Sequence, residues 1–240
     1  MANPLNDVSA AILAGGLGTR LRSVVADRPK VLAPVLGKPF LGFLLQQLAR
    51  AGIREAVLLV GYGAEQIREE LGDRHFGVDI DYSVEKQQLG TGGAVQEALP
   101  FLRRQTLLLM NGDSYCDVDI GAMVNRHVTL RRKASVALTR VENSSRFGSV
   151  ILDDKDRIVR LDEKAANSGP CWINAGVYLF DRDLVERIAL KPPISLERDL
   201  FPDWISRHSV FGFRGGRFID IGVPESYRLA DTFFQGVGSV

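Results

Sequence analysis

The chain has 240 residues, 45% of them hydrophobic and 25% charged, and its 30 Lys and Arg against 29 Asp and Glu leave a net charge of +1. That balance describes an ordinary globular chain with room for one sizeable core, and it excludes a global field that would recruit nucleic acid or an anionic membrane. Two cysteines, apolar runs far short of the roughly 18 to 20 residues that span a bilayer, and an opening MANPLNDVSA without a basic and then an apolar region argue against a disulfide framework, a membrane role and secretion, and for the cytoplasm.

Short apolar runs alternate with helical patterns. Ser9 to Ala14 reads as a buried strand that empties into Gly15, Gly16 and Gly18. Leu41, Leu44, Leu45, Leu48 and Ala49 then share one face of a helix ending near Gly52, and Ala56 to Val60 is the next strand, closing a βαβ unit. A helix over Ala64 to Leu71, a strand over Val78 to Val84, a helix over Thr91 to Leu102 and a strand over Thr106 to Met110 continue the alternation. The pattern predicts an α/β fold: a doubly wound, Rossmann-like, mixed but mostly parallel sheet with helices on both faces and its ligand beyond the carboxyl ends of the strands.

Beyond a helix carrying Ile120, Met123, Val124 and His127 on one stripe, the character changes. Strands at Ser135 to Val141, Ser149 to Leu152, Ile158 to Asp162 and Ile173 to Phe180 predict a partly antiparallel extension, followed by a last helical pattern from Glu225 to Phe234. No linker-like tract intervenes, so one domain over 1–240 is expected, its second part a small lobe that forms the other wall of a cleft.

The glycine stretch AGGLGTR has an ordinary explanation as a tight βα turn. It is not the dinucleotide fingerprint, which needs a glycine where Leu21 stands, nor a P-loop, because Gly37 and Lys38 precede Pro39. Arg20 and Lys30 lie on the loop that leaves the first strand, a segment stiffened by Pro29 and Pro34. Two cations beside a glycine turn suit a triphosphate, because attack at phosphorus requires neutralised charge. Asp113 ends TLLLMNGD and Asp220 sits in RFIDIGVPESY; each alone is equally a strand-end residue, and together they suit one hard cation.

GGLGTRL followed by RPKVLAPVLGKP resembles the signature of the sugar-1-phosphate nucleotidylyltransferases, and the resemblance continues through LGTGGA, NGDS, RFGSV, DEK, INAGVY and DIGVPESY over nearly the whole chain. The resemblance implies the nucleotide-diphospho-sugar transferase type of fold, with residues 1–133 mainly nucleotide-binding and 134–240 mainly sugar-binding. It implies that Leu13, Ala14, Gly15 and Gly16 wrap the base and sugar of a nucleoside triphosphate, that Gly18 and Thr19 lie near its phosphates, and that Glu85, Gln88, Gly90 and Thr91 read the base. Arg20 and Lys30 are then the catalytic cations, and Asp113 and Asp220 the ligands of Mg²⁺. Glu163 would bind a sugar hydroxyl, Lys164 the phosphate of the sugar 1-phosphate, and Gly148, Asn174 and Gly176 would line the sugar pocket. DEKA departs from relatives that carry an aromatic residue or Val before EK and Pro after it, which puts that local turn in doubt.

Within the family, LGTGGA preceded by Glu85 is most like the branch that acts on mannose-type and manno-heptose 1-phosphates, often with GTP. The implied partners are GTP and a sugar 1-phosphate; relatives using UTP or dTTP stay open, as does a homo-oligomer. A nucleotide-sugar-binding regulatory subunit is the alternative of another class, against which the retained Arg20, Lys30, Asp113 and Asp220 argue. His75, His127 and His208 share no metal-ligand spacing, so His127, Cys116, Trp172 and Trp204 read as packing residues. Arg103 and Arg104, and then Arg131, Arg132 and Lys133, read as solvated helix ends rather than a nucleic-acid patch.

Overall fold

The computed structural model describes residues 4–142, 146–162 and 169–235. Strand β1 (Val8–Leu13) runs through the middle of the main sheet, and a two-strand ribbon, β2 (Pro34–Val35) with β3 (Lys38–Pro39), leads from it into α1 (Phe40–Arg50). Then come β4 (Glu55–Val60), α2 (Ala64–Leu71), the short β5 (Arg74–His75), β6 (Val78–Val84), α3 (Gly90–Glu97), β7 (Thr106–Asn111), β8 (Ser114–Cys116) and α4 (Ile120–Thr129). The remainder comprises β9 (Ala134–Val141), β10 (Ser149–Leu152), β11 (Ile158–Asp162), β12 (Cys171–Asp181), α5 (Arg182–Glu186), a π-helical turn (Leu196–Leu200) and α6 (Phe201–Ser206). It closes with β13 (Val210–Arg214), β14 (Phe218–Asp220), α7 (Pro224–Tyr227) and α8 (Ala230–Gln235).

The main sheet has the order β11-β10-β12-β7-β1-β4-β6-β5, with β9 also against β12 and β13 against β9. Strands β7, β1, β4 and β6 are mutually parallel. The direction changes at β12, which pairs antiparallel with β7 and with β9. The expected doubly wound, mixed sheet is therefore present, parallel from β7 to β6 in the first half with the short β5 antiparallel at its edge, and joined without a break to the second.

Parallel strands need cover on both faces, and side-chain alternation supplies two cores. Ala10, Ile12, Leu108 and Met110 face one, beneath α1 and α4; Ala11, Leu107 and Leu109 face the other, beneath α3 and α6. In α1 the stripe Leu41, Leu44, Leu45 and Leu48 is fully buried, each Leu contributing about 1.5–3 kcal/mol relative to exposure. The helix stops where Gly52 takes φ 89° and Ile53 N reaches back to Leu48 O at 3.0 Å. His127 and Cys116 are buried, and Trp204 packs against Phe180 and Phe201, as expected of packing residues.

Two helices differ from the sequence expectation. The helix expected to reach Leu102 is regular only to Glu97, because Pro100 lacks an N–H and its ring disfavours helical geometry at Leu99. The pattern from Glu225 to Phe234 is two short helices, α7 and α8, the break marked by Leu229 N bonding to Ser226 O at 3.1 Å. The break lets both helices hold the β2–β3 ribbon: the Tyr227 hydroxyl donates to Pro34 O at 2.6 Å, and Asp231 accepts from Leu36 N at 2.9 Å.

Candidate active site

The carboxyl ends of β1, β4, β6 and β7 open into a cavity of about 500 Å³. Its lining includes Leu13, Gly15, Gly16, Lys30, Glu85, Gln88, Gly90, Thr91 and Asp113 from among the residues singled out in the sequence.

The three glycines after β1 do different work. A side chain on Gly15 would meet Glu85 Oε1 at 2.6 Å, so this glycine makes room for the Glu85 carboxylate, whose Oε2 accepts from Leu89 N at 3.0 Å. Gly18 is left-handed at φ 61°, and a side chain there would meet Lys30 Cβ at 2.9 Å. Gly16 meets nothing within 4 Å; it is the glycine that faces open space, where a ligand can approach backbone.

Lys30 follows Pro29 and donates from Nζ to Asp113 Oδ2, with 13% and 26% of the two side chains exposed. Asp113 arrives through Gly112, whose N–H donates to Leu13 O at 2.9 Å and so locks the end of β7 to the end of β1. Asp220 comes from the far end of the sequence by the β8–β14 ribbon, in which Asp220 pairs with Ser114 and Ile221 N donates to Asp113 O at 2.9 Å. The two aspartates are thus adjacent across a ladder that no sequence spacing reveals. Burial first, and the Asp113 charge second, push the Asp220 carboxyl above its usual range, against the pull of the Gly222 amide at 2.7 Å from Oδ1 and of Lys30 and Arg146. Two hard oxygen donors side by side, one of them pushed toward its neutral form by burial and by the other's charge, suit a divalent cation, whose charge relieves the conflict. Among the described residues, no group of three or more His, Cys, Asp or Glu is arranged to hold a metal.

The other residues are dispersed. Ala14 is buried and its N–H bonds to Leu59 O at 2.8 Å. Thr19 and Arg20 form a short exposed turn at Thr19–Leu21, outside the cavity lining. Arg20 has no hydrogen bond or ion pair to the described residues, so the structure does not bring it to the Lys30–Asp113 pair. Gly148, Asn174 and Gly176 also lie outside the lining, although Gly176 abuts Asn111, which is part of it. Glu163 and Lys164 lie outside the described residues.

Sequence reasoning missed Pro193 and Arg198, which line the cavity together with Asn111 and Gly112. Asn111 and Gly112 sit in the quoted NGDS and were legible there, whereas Arg198 lies in SLERDL, which shows no pattern. Reasoning from a ligand also missed why LGTGGA is rich in glycine. The Ile194 carbonyl lies on that loop, accepting from Gly92 N at 2.8 Å, and a side chain on Gly90 would meet it at 2.4 Å. The Cys116 thiol, pushed up to about 12 by burial, takes no part in chemistry at neutral pH.

Residues 9–235 match the family described as Nucleotidyl transferase. The chain is 37% identical over 229 residues to D-glycero-alpha-D-manno-heptose 1-phosphate guanylyltransferase of Aneurinibacillus thermoaerophilus, covering 95% of this chain and 99% of that relative. The protein of that name from Campylobacter jejuni is 38% identical over 220 residues, 92% of this chain and 97% of the relative. Among solved structures, HddC from Yersinia pseudotuberculosis complexed with GMP-PN matches with a TM-score of 0.83 and 31% identity, over 94% of this chain and 99% of that one.

Proposed function

The chain belongs to the nucleotidyl transferase family, and from that premise we propose that it transfers GMP from GTP to a sugar 1-phosphate, D-glycero-α-D-manno-heptose 1-phosphate in the first instance, giving a GDP-sugar and pyrophosphate. The observation that carries this reading is the Lys30–Asp113 pair in the lining of a cavity that Glu85, Gln88 and Thr91 also line, with Asp220 laddered next to Asp113 just outside that lining. The guanylyltransferase names of the relatives that span nearly the whole chain support the choice of nucleotide and sugar.

An oxygen of the sugar 1-phosphate bonds to the α-phosphorus of GTP as the bond from that phosphorus to the pyrophosphate oxygen breaks, and the electron pair leaves with pyrophosphate. The attacking oxygen is already anionic at neutral pH, so positioning and charge neutralisation supply most of the acceleration. Lys30, held by Asp113, offsets the charge on the phosphoryl oxygens. Arg20, on its exposed turn, reaches the triphosphate when nucleotide enters. Glu85 accepts from the guanine N1–H and amino group, two donors on one edge. Gln88, Gly90 and Thr91 flank that base; Leu13, Ala14, Gly15 and Gly16 follow the nucleoside, with Gly18 and Thr19 near the phosphates. Residues 1–133 are thus mainly the nucleotide half and 134–240 the sugar half, where Gly148, Asn174 and Gly176 meet the sugar together with Glu163 and Lys164. Asp113 and Asp220 would hold a divalent cation, Mg²⁺ in this reading, which would supply Lewis-acid stabilisation of the phosphoryl charge. No helix among the described residues is long and apolar enough to cross a membrane, and in this reading the reaction is cytoplasmic.

The test is a matrix of GTP, UTP, dTTP, CTP and ATP against manno-heptose, mannose, glucose and N-acetylmuramate 1-phosphates, scored by pyrophosphate release. GTP with the heptose phosphate is expected to give the highest kcat/KM. Activity confined to another cell corrects the substrates, and binding without release in any cell replaces the enzyme by a nucleotide-sugar-binding protein.

A further inference from the structure

Glu197, on the π-helical turn Leu196–Leu200, is half-buried and turns its two carboxylate oxygens toward different parts of the site. Oε1 accepts a hydrogen bond from the Tyr178 hydroxyl at 3.0 Å, and that hydroxyl accepts one from Asn174 Nδ2 at 2.9 Å. The other end of the Asn174 amide, Oδ1, accepts from Gly176 N at 3.0 Å. Oε2 accepts from Thr91 Oγ1 at 3.4 Å and from Ser195 Oγ at 3.2 Å, while Thr91 Oγ1 itself accepts from Leu196 N at 2.8 Å. One carboxylate therefore ties Thr91, at the cavity wall, to Asn174 and Gly176 on β12. Tyr178 is fully buried, and burial, then the Glu197 charge, holds its hydroxyl protonated, so it remains a donor.

A carboxylate offers only acceptors, and every partner of Glu197 donates to it. Thr91 and Tyr178 therefore share one carboxylate, so a change in how Thr91 is held bears on the hydrogen bonds of both oxygens, and the Tyr178 ring on the far side is fully buried and packed against Phe180 and Phe201. We propose that Glu197 is a positioning residue that couples the two substrate pockets: nucleotide ordering Thr91 sets Asn174 for the sugar 1-phosphate, and the reverse. The inference rests on the guanylyltransferase reading, which identifies what the two pockets hold. Coupling between sites is reciprocal, and a network of this kind carries about a fivefold effect or more on affinity.

The experiment is calorimetric titration of a non-hydrolysable GTP analogue, alone and with saturating mannose or manno-heptose 1-phosphate. The unaltered protein should bind the analogue about fivefold more tightly, or better, when the sugar phosphate is present. In Glu197→Ala and Tyr178→Phe that factor should fall to one while binding of the analogue alone is little changed. Glu197→Gln, which keeps one carbonyl acceptor, should restore part of it. Tyr178→Phe keeps the ring that stacks on Phe180 and packs at a tilt against Phe201, so it reports even if Glu197→Ala folds poorly. A factor of one in the unaltered protein, or an unchanged factor in the variants, overturns the proposal. Neither outcome touches the proposed reaction, which fails separately if GTP and sugar phosphate yield no pyrophosphate.

Discussion

Lys30→Met deletes a charge and keeps the aliphatic stem that packs beside Gly18. The stability cost is small. With 13% and 26% of the Lys30 and Asp113 side chains exposed, the pair experiences an effective dielectric near 20, where contact is worth about 4 kcal/mol before both ions are desolvated, leaving a net of about 1 kcal/mol. For a chain of this size that moves Tm by about 2–4 °C. The catalytic cost is larger, because a fixed donor facing developing charge in a closed site is worth about 10²–10³ in kcat, or about 3–4 kcal/mol. The assay is initial-rate pyrophosphate release with GTP and a sugar 1-phosphate, with thermal melting in parallel. The expected outcome is a fall in kcat of about 100-fold or more at nearly constant Tm. A kcat within about threefold of the unaltered enzyme, at an unchanged Tm, removes Lys30 from the reaction.

Asp220→Asn removes one of two carboxylates whose charges conflict across the β8–β14 ladder. It is expected to leave Tm unchanged or raised while the divalent-metal concentration giving half-maximal activity rises about tenfold or more; an unchanged metal titration refutes the ligand role. His127 is buried against Ser135 and Asp181, and burial lowers its pKa from 6.5 to about 4. Between those values the unfolded chain holds the extra proton, so stability is full above pH 6.5 and falls by roughly 1–3 kcal/mol as pH drops to about 4. Urea unfolding at stepped pH should show that slope, and His127→Leu should remove it; an equal slope in both proteins contradicts the assignment. Gly112→Ala would place Cβ 2.3 Å from the Leu13 carbonyl oxygen, a backbone atom fixed in the sheet. It should cost about 1–3 kcal/mol, read as a Tm lowered by about 2–4 °C per kcal/mol, and an unaltered Tm would mean that the two strand ends are not locked as described.

The parallel half of the sheet was legible because strands buried on both faces must be continuously apolar. TLLLM and AVLLV announce themselves, whereas β6, which begins and ends at Val78 and Val84 as expected, alternates buried Val78, Ile80 and Tyr82 with exposed Asp79 and Asp81. The stripe of α1 was legible for the same reason at helical spacing. The candidate site was legible as residue types and only partly as geometry. Asp113 and Asp220 could be named from strand ends, but their adjacency depends on a ribbon closed by residues more than a hundred positions apart, which leaves no periodic trace. Gly90, which the resemblance sets beside the base, also yields space to Ile194, as does Gly92, and nothing in LGTGGA itself shows that second demand. Arg198 and Glu197 escaped notice because a charged residue on a short turn resembles any solvated one until the opposite wall is seen.

The account stands or falls on where the α-phosphate of GTP goes. With GTP labelled at the α-phosphorus, the unaltered protein, a divalent cation and manno-heptose 1-phosphate, all transferred label should appear in the GDP-sugar and none in pyrophosphate, with Lys30→Met nearly silent. Label recovered only as free GMP or untouched GTP, or transfer undiminished by Lys30→Met, would contradict the claim that this cavity brings one phosphorus atom beside that lysine.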